Sequence, residues 1–119
     1  MYLQIEDPSE APVPPEEVRI KHVQLSPYPD GRRVRMSLAL TPFQSPPDIS
    51  VVAQDARDRE VSSLNIVGAT EAQMALTMHL RDPETEDPVL IGITVSYADT
   101  GIVDQHEASL RVRAQGDRG

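Results

Sequence analysis

The sequence predicts an all-β protein, a sandwich of seven antiparallel strands, and three stretches carry that prediction. Residues 32–41, RRVRMSLALT, place Val34, Met36, Leu38 and Leu40 on one parity and Arg33, Arg35, Ser37 and Ala39 on the other. That period of two is the mark of a half-buried strand. Residues 72–80 repeat it, with Met74, Leu76, Met78 and Leu80 against Gln73, Ala75, Thr77 and His79. Residues 89–98 give the longest alternation: Val89, Ile91, Ile93, Val95 and Tyr97 face one way, and Leu90, Gly92, Thr94, Ser96 and Ala98 the other. No segment of adequate length has the period of a helix. A strand with one apolar face must bury it against another layer, and Met36, Leu38, Leu76, Met78, Ile93 and Val95 are the side chains expected to meet there.

Taken in order, residues 1–5 alternate briefly, Met1, Leu3 and Ile5 against Tyr2 and Gln4, as a short strand would. Residues 7–17, DPSEAPVPPEE, hold four prolines and four acids, which favour an extended polyproline II arm over a regular element. Such an arm is either a solvated tail or a strap across a sheet edge, its own or a neighbour's. Residues 18–25 form the first strand of the body. Val18 and Ile20 share one parity while Val23 and Leu25 take the other, so a bulge or a crossing between sheets is expected near His22. Residues 26–31, SPYPDG, make a hairpin turn, with Pro29 presetting the second position and Gly31 supplying a permissive backbone.

Residues 41–47, TPFQSPP, surround Phe43 with prolines and cannot be a central strand. Residues 48–56 read as a strand with Ile49, Val51 and Ala53 inward and Val52 outward. The polar run 55–60, DARDRE, reverses the chain into residues 61–67, where Leu64 and Ile66 share a face; Asp55 and Asp58 read as ordinary turn residues. Residues 68–71 lead to the strand of Met74 to Leu80, and an acidic loop, 81–88, leads to the strand of residues 89–98. A tight ADTG turn at 98–101 opens the last strand, in which Ala108, Leu110 and Val112 point in and Glu107, Ser109, Arg111 and Arg113 point out. The chain thus divides into an arm (1–17), a sandwich (18–113) and a fraying tail (114–119).

The hairpin LIGITVSYADTGIVDQHEASLRV, residues 90–112, and the ALTMHL segment before it resemble those of an immunoglobulin-like or fibronectin-III-like domain. The resemblance spans about residues 18–113 and implies a seven-stranded antiparallel immunoglobulin-like sandwich with an extended Pro-rich N-terminal arm. It is a likeness of fold and implies no activity. The chain departs from antibody-type domains in having no cysteine pair and no core tryptophan, and Tyr97 lies near the end of its strand.

Composition narrows the function. Acids outnumber Lys and Arg 19 to 11, a net charge of −8, which argues against nucleic acid, whose phosphates are bound by clustered bases. With no cysteine there is no disulfide, thiolate nucleophile or cysteine-ligated metal. No run of about 18 apolar residues suggests a membrane span. Residues 1–10 carry neither a basic nor an apolar signal region, so with Met1 as the start the cytoplasm is the default compartment.

Catalytic, cofactor-binding and metal-binding residues are all expected to be absent. His22, His79 and His106 fall singly on three different strands, which does not suit a metal site. Asp82, Glu84, Glu86 and Asp87 crowd the 81–88 loop; a solvated acidic loop is one reading, and a calcium- or ligand-binding domain using that loop is the alternative. Paired-carboxylate catalysis needs two acids held about 5 to 9.5 Å apart in a cleft, which mobile loops seldom provide. Neither a GxSxG elbow, a P-loop nor a dinucleotide fingerprint occurs, so no enzyme is expected. The aromatics are only Tyr2, Tyr28, Phe43 and Tyr97, too few for a sugar-stacking platform.

One surface stands out. Gly92, Thr94 and Ser96 on the sixth strand are small and uncharged, and Val52, Ser50 and Ser109 should lie beside them. A solvated sheet face usually carries more charge. Val52, Gly92, Thr94, Ser96 and Ser109 are therefore the expected interface, covered by a protein partner, by a second copy in a homodimer, or by the arm; a free edge strand is the alternative contact. Strand propensity alone also favours Ser and Thr there.

Overall fold

The protein is described by a computed structural model over residues 11–81 and 85–112. The expected strand at residues 1–5, the tail from residue 113, and Asp82 and Glu84 of the acidic loop lie outside the described residues. Seven strands form in order: β1 (Ile20–Pro27), β2 (Arg33–Leu40), β3 (Asp48–Gln54), β4 (Glu60–Ile66), β5 (Gln73–His79), β6 (Val89–Tyr97) and β7 (Gly101–Leu110). They make two antiparallel sheets, one ordered β1-β2-β5 and the other β4-β3-β6-β7.

The alternation in the sequence becomes the core. Val34, Met36, Leu38 and Leu40 of β2 meet Ile49, Val51 and Ala53 of β3 and Val89, Ile91, Ile93 and Val95 of β6, all buried. Of the six side chains expected to meet between the layers, five are at most 2% exposed. Leu76 is only half-buried, because β5 is an edge strand with a neighbour on one side only. β2 and β6 sit between two strands in their sheets, which is why their parity is the cleanest in the chain.

Local chemistry fixes the connections. The β1–β2 hairpin closes where the Gly31 amide donates to the Tyr28 carbonyl at 3.0 Å, with Gly31 at φ +70°. The parity switch in β1 is a register shift between Ile20 and His22. β4 pairs with β3 because the short Asp55-centred turn returns the chain directly alongside.

The two sheets are stitched along both open sides. On one, the Ile20 amide donates to Asp104 Oδ2 at 2.8 Å, tying β1 to β7. On the other, the Arg81 amide donates to the Val61 carbonyl at 2.7 Å, tying the end of β5 to β4.

One expectation is corrected. The described part of the arm is not extended throughout: Pro15–Glu17 form a single 3₁₀ turn, with proline in its first turn, where a missing N–H costs nothing. Before that turn Val13 bridges Phe43 in parallel, its amide donating to Pro42 and its carbonyl accepting from Gln44. Residues 11–17 thus lie on their own domain.

Candidate interaction surface

The outer face of the four-stranded sheet, called the front, is built by the strand register. Val52 of β3 lies opposite Gly92 of β6, flanked by Ser63 and Glu107. One row along, Ser50 faces Thr94 between Asn65 and Gln105. Beyond that row Asp48 faces Ser96, which faces Ile102, and at the other end Gln54 faces Leu90, which faces Ser109. The five interface residues expected from the sequence therefore share one face, with Ser109 at its edge.

Three large apolar side chains in water belong to this same region. Val67 is 83% exposed, Ile102 60% and Leu90 38%. Leu90 and Ile102 sit in the front rows, and Val67 lies one residue past β4 on the outward parity. Sequence reading missed Ile102, because its direction depends on a bulge at Val103 that moves the register between Val95 and Ser96. Gly92 leaves a hollow of about 260 Å³, bordered by Thr94, Gln105, His106 and Glu107. No atom lies within 4 Å of where a Gly92 Cβ would stand. The front rows hold Asp48, Glu60 and Glu107 and no Lys, Arg or His, and Arg81 reaches in from the rim to pair with Glu60 at 3.1 Å.

The outer face of the three-stranded sheet, the back, has the opposite character. Its rows pair Arg33 with His79, Arg35 with Ser26 and Thr77, Ser37 with Gln24 and Ala75, and Ala39 with His22 and Gln73. None of these is an acid. Arg33 is held by Asp30 of the turn at 3.0 Å and lies 4.1 Å over the Tyr28 ring. A hydrogen bond with Thr77, aided by Arg35 and Arg33, holds the Tyr28 hydroxyl below its ordinary pKa. At the other end of this face a groove of about 580 Å³ runs over Ser37, Ala39 and Ala75, bordered by Lys21, His22 and Gln73.

Several acids are occupied by structural bonds. Asp55, which reads from the sequence as an ordinary turn residue, is 3% exposed and accepts from the Arg59 guanidinium at 2.8 and 3.1 Å and from the amides of Arg57, Arg59 and Glu86. Chiefly through Arg59, these donors outweigh burial and hold its carboxyl well below the usual range. The available signal was Asp at the head of a tight polar turn, where it can bond the backbone two residues on.

Within the acidic loop Asp87 accepts from the Val112 amide at 2.6 Å and Glu86 pairs with Arg57 at 3.6 Å. The histidines lie on β1, β5 and β7. Among the described residues no three His, Cys, Asp or Glu side chains are placed to hold a metal. Among the described residues no helix is long and apolar enough to cross a membrane.

No protein-family model matches the sequence, nor does any curated protein. Solved structures resemble the fold. A glycosyl hydrolase family 2 member from Bacteroides cellulosilyticus matches with TM-score 0.57 and 11% identity over 80% of this chain and 14% of that one. A β-glucuronidase from Ruminococcus gnavus, in complex with D-glucuronic acid, matches with TM-score 0.54 and 14% identity over 84% of this chain and 16% of that one. This chain therefore spans about a sixth of the length of these hydrolases, and at such identity the likeness is one of fold: a small β-sandwich.

Proposed function

We propose that this chain is a non-enzymatic, immunoglobulin-like interaction module whose front, centred on Val52, Gly92, Thr94 and Ser96 with Ser109 at its edge, is covered by another protein chain, either a partner or a second copy. One observation carries the proposal: among the described residues three large exposed apolar side chains, Val67, Leu90 and Ile102, border the same small uncharged centre. Scattered single apolar residues need no explanation, but a group on one flat sheet face fits a contact surface. The likeness to about a sixth of each hydrolase chain suits a module that works beside other domains.

Sedimentation tests the reading. Thr94→Arg puts a long charged side chain at the centre of the face and should lower the mass of an associating wild type to that of one chain. A variant that associates as strongly as the wild type overturns the proposal. A wild type that is a single chain at every concentration removes the second-copy version and leaves the partner version.

A further inference from the structure

The two outer faces of the sandwich are complementary. The front rows contain acids and no base, the back rows bases and no acid, in a chain of net charge −8. We infer that the front of one copy docks on the back of another, head to tail. The inference rests on the front being a contact surface and adds its occupant.

Charge argues against the symmetric alternative. Two fronts facing each other across a two-fold axis would bring Asp48 and Glu107 of each copy toward the same acids of the other, and like charges in an interface oppose association, while Glu60 is already paired with Arg81 at 3.1 Å. Front on back instead sets these acids against Arg35 and the Arg33–Asp30 pair. Arg33 is pre-positioned by Asp30 and Tyr28.

Relief argues the same way. The front has a projecting side chain, Ile102, and a hollow at Gly92 with Glu107 on its lip. The back has an exposed base, Arg35, beside the Tyr28 hydroxyl, and a groove floored by the small residues Ser37, Ala39 and Ala75. On each face knob and recess are one to two rows apart, roughly 7 to 14 Å along the strands. Ile102 can thus enter the groove while Arg35 enters the hollow beside Glu107. Because the two patches differ, each copy keeps one free face and the assembly is open-ended.

Two blocked variants decide the matter. Gly92→Arg fills the hollow at a position with room for a side chain, and Arg35→Glu reverses the base on the back. In sedimentation of the full chain, the wild type should show mass rising with concentration past two copies. Each variant alone should associate on the order of tenfold or more weakly. An equimolar mixture should form pairs and nothing larger, since one variant retains an intact front and the other an intact back. Melting curves confirm that each variant folds, and Thr94→Arg and Ala75→Arg replace either one that does not.

Arg35→Glu associating like the wild type overturns the inference and leaves the front as a contact surface. A mixture of folded variants that stays monomeric overturns it, as does a wild type that never associates, which leaves the front to a foreign partner.

Discussion

The front and back of this sandwich are made by the same device and end with opposite chemistry. In both sheets alternate residues enter the core, so the remaining residues were free to diverge. The back places Arg33 and Arg35 on its central strand, while the front places Gly92, Thr94 and Ser96 on one of its two inner strands and keeps acids nearer its rim. Inward positions are interchangeable apolar groups; outward ones are not.

The comparison between inner and outer residues breaks most sharply at neighbouring positions of β6. Ile93 is 1% exposed and packed between the sheets, while Thr94 lies on the front. Ile93→Ala should cost about 2–5 kcal/mol, the loss of buried methyl groups plus the cavity left behind. Thr94→Ala should cost less than about 1 kcal/mol, the span of strand propensities. Urea unfolding of the two variants measures the difference, and equal midpoints would mean that the alternation does not divide core from surface.

A second contrast separates the exposed Glu107 of the front from Asp55, which is buried in its turn. Asp55→Asn removes the charge that binds Arg59 while leaving the front untouched, and should lower the melting midpoint on the order of 10 °C. The pH dependence has a definite sign. The folded carboxyl is held below its unfolded value, so its contribution is complete above about pH 4 and is lost as pH falls toward the lower folded-state value. The wild type should therefore lose stability on acidification over that window, and the Asn variant should lose less. An acid-melting profile shared by the two would deny Asp55 this role.

Much of the fold was legible because it depends on local period. The strands of β2, β3, β5 and β6, the bulge near His22 and the turn at Gly31 all follow from side-chain parity and turn chemistry. Strand neighbours were less legible, since they depend on which segments return alongside one another. The small centre of the front could be read from β6 alone, yet its apolar border could not. Ile102 reaches that face only through the bulge at Val103, and Val67 belongs to it only because β4 pairs with β3. The 3₁₀ turn at Pro15–Glu17 escaped for a related reason: its prolines fit an extended arm and a first helical turn equally well. The anchoring of Asp55 also depends on Glu86, 31 residues away, a contact invisible to local pattern.

The smallest effect on stability tests the front most directly. Ile102 is 60% exposed, so replacing it removes little buried surface, and Ile102→Ser should change unfolding free energy by no more than about 0.5 kcal/mol. Its effect on association should be out of proportion to that, because a projecting apolar side chain that is idle in the single chain becomes an anchor once it enters a recess. A variant with wild-type melting and weakened self-association would separate contact from folding at a single residue. Unchanged association would remove Ile102 from the interface and with it the pairing of that side chain with the groove over Ser37 and Ala39.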